Sequence, residues 1–189
     1  MNLCATSARL CNAWLAIVDE PIRCPKTFGC ILLVMTLPDF SATGDLPLGV
    51  HRVTIDEVIQ RFGADSGKRA LVTQRLLHIY DLAKRTGHLG QFIIFGSYVS
   101  TKAEPNDVDI ILVMKDTFVP RECPRECAGL FDHAIAQARY GASIFWARPS
   151  AMLLEPLEEF IAAWQVKRDG SLCGILEVIE EEEENHDPE

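Results

Sequence analysis

The chain has no apolar run long enough to cross a membrane. Its short runs Ala13 to Val18 and Ile31 to Val34 fall far below the roughly 20 residues a spanning helix needs. No strongly basic segment or clear cleavage site accompanies the first run, so a secretory leader is not expected. Basic charge is also scarce: Lys and Arg number 18 against 27 Asp and Glu, a net charge of −9. An extended nucleic-acid-binding face, which needs a basic surface, is therefore not expected. Close pairs of metal-ligating residues are missing too. Cys123-x-x-x-Cys127 has the look of half a zinc site, but no second pair lies near it. The spacing of Cys4, Cys11, Cys24 and Cys30 matches no pair of close ligands, and His78 and His88 have no partner pattern. The seven cysteines, an odd and scattered set, are read as free thiols in a reducing cytoplasm. No internal repeat is visible.

Against these absences stands an ordinary globular composition, 48% hydrophobic and 24% charged. Eight acids lie at or beyond Glu177 with no Lys or Arg among them, so −8 of the net −9 resides there and the rest of the chain carries −1. Three regions follow. Residues 1–34 hold four of the cysteines and little periodicity, and are expected to be a non-native or poorly packed extension. Residues 35–179 are expected to form one domain, large enough to bury a core without staples. Residues 180–189 are expected to be a disordered acidic tail.

The stretch Gln91 to Met114 organises the domain. An apolar run, Phe92 to Phe95, is followed at once by Gly96-Ser97. A polar linker from Ser100 to Asn106 comes next, then Asp107-Val108-Asp109 opening a second apolar run to Met114. The pattern predicts strand, tight turn, loop, strand. Alternation along the second strand puts Asp107 and Asp109 on one face. Two close carboxylates repel each other unless a cation lies between them, and oxygen-only ligands favour Mg²⁺ (or Mn²⁺). Glycine permits close backbone approach to a ligand, and a turn leading into a helix presents N–H groups to phosphate. Ser97 adds a hydroxyl.

Around this stretch, Thr54-x-x-Glu57 is a capping-box pattern opening a short helix to Arg61. Lys68 to Thr86 is a long helix, with Leu71, Leu76, Ile79 and Ala83 as its apolar stripe. Lys68, Arg69, Arg75, Lys84 and Arg85 lie on its other faces, read as solvated. Pro38 to Val50 is read as a loop, and Pro124 to Tyr140 as a second long helix. Ala142 to Trp146 is a third strand. Leu157, Phe160, Ile161 and Trp164 mark a further helix starting at Glu155-Pro156. Asp169-Gly170 is a turn, and Leu172 to Ile179 is a last strand. The fold class is α/β (α+β), a short mixed sheet with helices on one face.

Gly96-Ser97, nine intervening residues and Asp107-Val108-Asp109 on a strand together resemble the signature of the DNA polymerase beta-like nucleotidyltransferase superfamily, closest to its small stand-alone, MNT-like branch. The resemblance implies that Asp107 and Asp109 hold Mg²⁺ as catalytic residues. It also implies that Gly96 and Ser97 bind the nucleotide, and that a nucleoside monophosphate moves from an NTP to a hydroxyl of a protein, a tRNA or a small molecule. Some such members are toxin–antitoxin components. Two departures stand out. The Arg-Gly that many minimal members carry after Gly-Ser is replaced by Tyr98 to Lys102; Lys102 is either the cation toward the triphosphate or a solvated loop lysine. The third carboxylate, which in the superfamily holds metal and draws off the acceptor's proton, falls at Ser143. Three alternatives follow: two acids suffice, Glu104 or Asp116 substitutes, or the chain is a catalytically weak nucleotide-binding or partner-binding module.

Overall fold

A computed structural model describes residues 37–63, 66–152 and 156–180. The chain divides into two units, Met1–Val34 and Met35–Glu189, and all the described residues lie in the second. The expectations for residues 1–34 and for the acidic stretch beyond Glu180 fall outside the described residues.

Five strands form one mixed sheet: β1 (Val50–Thr54), β2 (Leu89–Phe95), β3 (Val108–Met114), β4 (Ala142–Ala147) and β5 (Ile175–Ile179). Their order is β1-β5-β2-β3-β4. β1 and β5 run parallel, as do β3 and β4, while β2 is antiparallel to both of its neighbours. The class is α+β with a mixed sheet, as the sequence pattern predicts. β1 was hidden inside the segment read as loop and helix start. Val50 is exposed and only Val53 of this edge strand is fully buried, so it carries too little apolar alternation to announce itself.

Helix α1 (Ile55–Phe62) opens with the predicted capping box: Thr54 Oγ1 accepts from the Glu57 N–H, and Glu57 Oε2 accepts from the Thr54 N–H at 2.7 Å. Helix α2 (Gly67–Arg85) begins at Ser66, whose Oγ accepts from the Arg69 N–H. Its buried side is set by Val72, Leu76, Ile79, Leu82 and Ala83; Leu71, placed in the stripe by the sequence pattern, is 47% exposed. The predicted helix from Pro124 to Tyr140 is broken. A 3-10 turn covers Ala128–Phe131, and α3 (His133–Tyr140) starts afresh after Asp132. Asp132 is extended and its side chain accepts from the Ile135 N–H, so a local cap competes successfully with helix continuation. Ala136 and Tyr140 then point inward, and Ile135 is 47% exposed. Helix α4 (Leu157–Ala163) ends at Trp164.

The main core joins α1, α2 and α3 to one side of the sheet, through residues such as Phe92, Ile94, Ile110, Leu112, Ile144 and Leu176. Helices on one face thus describes α1 to α3. On the opposite side, Ile93, Ile111, Val113 and Ile175 form a smaller cluster with Ile161, against which Phe95, Phe145, Leu157 and Trp164 pack. α4 covers that side.

One residue overrides the amphipathic logic of α2. Arg69, expected among its solvated cations, is 2% exposed. Its Nη1 donates to Phe62 O (3.1 Å) and Tyr98 O (3.0 Å), its Nη2 to Ser100 O and Lys102 O (both 2.6 Å), and its Nε to Lys102 O (3.1 Å). The guanidinium's fixed fork of donors matches several carbonyls at once, which is why burial is tolerated here. Beneath it, Thr73 Oγ1 donates to Arg69 O and lies 2.7 Å from the Tyr98 hydroxyl, which is wholly buried. We predict that Arg69→Met, which keeps the stem and removes the donors, costs about 3 kcal/mol or more in urea unfolding. Arg69→Lys should recover only part of this, because one ammonium cannot reach four carbonyls. A loss below about 1 kcal/mol in Arg69→Met would show that the loop holds itself.

Candidate functional site

β2 delivers the chain to Gly96, which has φ +79. This left-handed conformation favours glycine. The turn is also crowded: a Cβ at Gly96 would lie 2.2 Å from Asp109 Oδ2. Gly96 is therefore required both by its backbone angle and by the carboxylate lying against it. A 3-10 turn over Gly96–Val99 then buries Tyr98 and Val99, and Arg69 grips the carbonyls that follow.

β3 opens at the same end of the sheet. Asp109 is the register partner of Phe95 on β2 and of Ser143 on β4. Asp107 and Asp109 share a face, as alternation requires, and Ser143 sits beside them. Ser143 Oγ donates to Asp107 Oδ2 over a long 3.4 Å, and the same hydroxyl lies near enough to Asp109 to favour its charged form. The sequence-predicted trio is thus brought together. Burial pushes the Asp109 carboxyl up to about 6, and the neighbouring Asp107 charge adds to the rise; the Ser143 hydrogen bond and Arg168 pull the other way. Half-buried aromatic rings supply the poorly solvated surroundings. Phe95 lies 4.8 Å and Phe145 4.4 Å from Trp164, between ring centroids.

Gly96 and Ser97 open on their other side into a cavity of about 370 Å³, which Lys102, Thr101, Asp45 and Lys167 also line. Lys102 therefore reaches the same cavity as Gly-Ser. Lys167, which carries no motif in the sequence, enters it as well, paired with Asp45 at 2.9 Å. The turn after α4 thus sends Lys167 to the glycine–serine side and Arg168 toward Asp109. Their signal in the sequence was two adjacent cations just before the recognised Asp169-Gly170 turn, but nothing local says what they face.

Neither proposed substitute for a third acid joins the pair. Glu104 is exposed, and Asp116 accepts from the Ser150 N–H at 2.8 Å. Among the described residues no cluster of three or more His, Cys, Asp or Glu is placed to hold a metal. Cys123, Cys127 and Cys173 are free thiols; burial, with Cys127 next, raises the Cys123 thiol to about 11, so it stays protonated and a poor ligand. The two carboxylates fit a cation nonetheless. Asp109 carries charge in a poorly solvated place beside a like charge, and a divalent ion relieves both costs.

A pH dependence follows for the metal-free protein. The unfolded-state value for Asp is about 3.9, and the folded Asp109 value is about 6. A raised carboxyl contributes stability in full below the unfolded value and loses it as pH rises through the folded one. With a chelator present, thermal melts should show the protein losing stability between about pH 4 and pH 6, and Asp109→Asn should abolish that loss. An identical pH profile in the two proteins would show that Asp109 titrates normally.

No helix among the described residues is long and apolar enough to cross a membrane. No curated protein and no solved structure matches the chain. Residues 38–179, which span the whole sheet and the carboxylate site, match a family of unknown function, DUF6932. The chain belongs to that family.

Proposed function

We propose that this protein is a metal-dependent nucleotidyltransferase that moves a nucleoside monophosphate from an NTP to an acceptor hydroxyl, in the manner of the DNA polymerase beta-like superfamily it resembles. The observation that carries the reading is the contact of the Asp109 carboxylate with Gly96, where the carboxylate leaves no room for a Cβ and the positive φ favours glycine. The glycine–serine turn and the acid pair are in contact, which supports reading them as one site.

Each residue then has a role. Asp107 and Asp109 hold Mg²⁺ (or Mn²⁺). The bound ion neutralises charge on the transferring phosphoryl group and the departing pyrophosphate. Gly96 allows the backbone to approach a phosphate oxygen, and Ser97 donates its hydroxyl. Lys102 and Lys167, lining the same cavity, supply positive charge to the outer phosphates. Ser143 orients the two carboxylates through its hydroxyl. It cannot take the acceptor's proton at neutral pH, so turnover is slow. A second reading, a nucleotide-binding module with little turnover, is favoured by the lack of a third acid beside Asp107 and Asp109 among the described residues. A toxin–antitoxin role belongs to the same proposal.

Three measurements test it. Mg²⁺ should raise NTP affinity in the native protein and do so far less in Asp109→Asn, which keeps size and removes charge; equal Mg²⁺ dependence would sink the metal-site reading. Labelled NTP, Mg²⁺ and total cell protein or RNA should yield label transfer, and Ser143→Asp should speed it by about 10²–10⁴-fold, the usual worth of general-base help. That variant should melt lower without metal and recover with Mg²⁺. Destabilisation that ignores Mg²⁺, with no gain in rate, would assign Ser143 to packing alone and leave the weak-module reading.

A further inference from the structure

The glycine–serine cavity contains an acid. Two cations, Lys102 and Lys167, line it together with Asp45. A carboxylate repels any phosphate that enters, and this one lies on a cation that the phosphate would use. Lys167 Nζ donates to Asp45 Oδ2 at 2.9 Å, and that hydrogen bond holds the ammonium above the usual lysine range. Lys102 forms no ion pair with an acid among the described residues. One of the two cations is thus taken before an anion arrives.

The two partners are held differently. Asp45 is fixed by its loop. Its main chain bridges to Ser100, the Ser41 N–H donates to Asp45 O at 2.8 Å, and the Thr101 N–H donates to Gly44 O at 2.9 Å. Gly44, at φ +80, lies so close to Thr101 that a Cβ would meet its Oγ1 at 2.1 Å. Thr43 Oγ1 donates to the same Asp45 Oδ2 at 3.0 Å, and the Asp45 side chain is 14% exposed. Lys167 projects from a tight turn, closed by its N–H donating to Ser171 O at 2.8 Å, and its side chain is 39% exposed. The flexible four-carbon stem lets the ammonium swing away, whereas the carboxylate cannot follow it.

A singly charged anion offers Lys167 no more than Asp45 already gives. A polyphosphate offers several charged oxygens, and Lys102 adds a second contact to it. We propose that Asp45 is a resident competitor for this cavity: a pyrophosphate or triphosphate group takes Lys167 from it, and the carboxylate reclaims the ammonium as the anion leaves. While the anion is bound, Asp45 keeps its Thr43 hydrogen bond but is a largely covered charge without a cation, which is costly. Return of Lys167 is therefore favoured. Asp45 weakens anion binding and hastens loss of the pyrophosphate product. The exchange needs only a polyphosphate in the cavity; its place in product release rests on the nucleotidyl-transfer reading.

The test uses the full chain in titration calorimetry, with inorganic pyrophosphate without metal and ATP with Mg²⁺ as separate probes. Asp45→Asn keeps the size and an acceptor for Thr43 and removes the charge. It should tighten pyrophosphate binding about tenfold, the worth of one charge-assisted hydrogen bond. Lys167→Gln should weaken binding by a similar factor. With both substitutions present, most of the Asp45→Asn gain should vanish, because no ammonium is left to be released. Thermal melts show which variants are folded; if Asp45→Asn is not, Asp45→Ser, which also lacks the charge, takes its place. Unchanged pyrophosphate affinity in the folded Asp45 variant overturns the proposal. So does an equal gain with and without Lys167, which would mean plain repulsion. Pyrophosphate binding with this coupling but no ATP binding would sustain the exchange and overturn the nucleotidyl-transfer reading. ATP binding and label transfer, with neither anion responding to Asp45→Asn, would overturn the exchange alone. Failure of both probes to bind any of these proteins would overturn both.

Discussion

The Arg69 guanidinium is the interaction on which the rest of the site depends. It gathers carbonyls from Phe62 at the end of α1 and from Tyr98, Ser100 and Lys102 after the glycine turn. Those groups lie outside the sheet's strands, with only the isolated Asp45–Ser100 bridge among them, and buried carbonyls without donors are costly. One side chain satisfies them and thereby fixes the path of the loop between β2 and β3. The loop sets the turn at Gly96, and the turn sets the space in which the Asp109 carboxylate lies. A helix-borne cation thus governs an anionic site it does not touch.

Electrostatics at that site work against folding. The sheet brings Asp107 and Asp109 to one face, and aromatic packing around Phe95, Phe145 and Trp164 limits their solvation. The Ser143 hydroxyl and the nearby Arg168 offset the cost only in part, since the Asp109 carboxyl remains raised. A fold gains nothing structural from such a pair. Apolar residues at the mouth of β3 would pack with less penalty, and that cost is the physical support for the proposed cation site.

The cations are distributed with equal economy. Lys167 pairs with the largely covered Asp45, and Lys84 with Glu180 at exposed positions, where such a pair contributes little to stability. Among the described residues, Arg75 and Arg139 have no acid beside them in a groove between α2 and α3. Leu71 stands exposed at the edge of the same groove. The carboxylate pair and the glycine–serine cavity meet at one end of β3, where strand register and a single turn hold them.

The sequence by itself determined what depends on near neighbours. The apolar runs on either side of Gly96 to Asp109 became β2 and β3. Thr54 and Glu57 made their capping box, α4 followed its stripe, and Ser143 came into register beside Asp109. Each rests on periodicity or on hydrogen bonds within a few residues, which local order reveals. Tertiary structure decided the rest. Arg69 looks solvated in its helix because its acceptors lie up to 33 residues away. Leu71 yields the core to Val72 because the sheet, not the helix, chooses the buried side. The predicted helix ending at Tyr140 breaks at Asp132 because its local cap, together with burial of Ala136 and Tyr140, outweighs helix continuation. Lys167 and Arg168 reach the site from the turn between α4 and β5, and β5 inserts between β1 and β2, a pairing that no local pattern specifies.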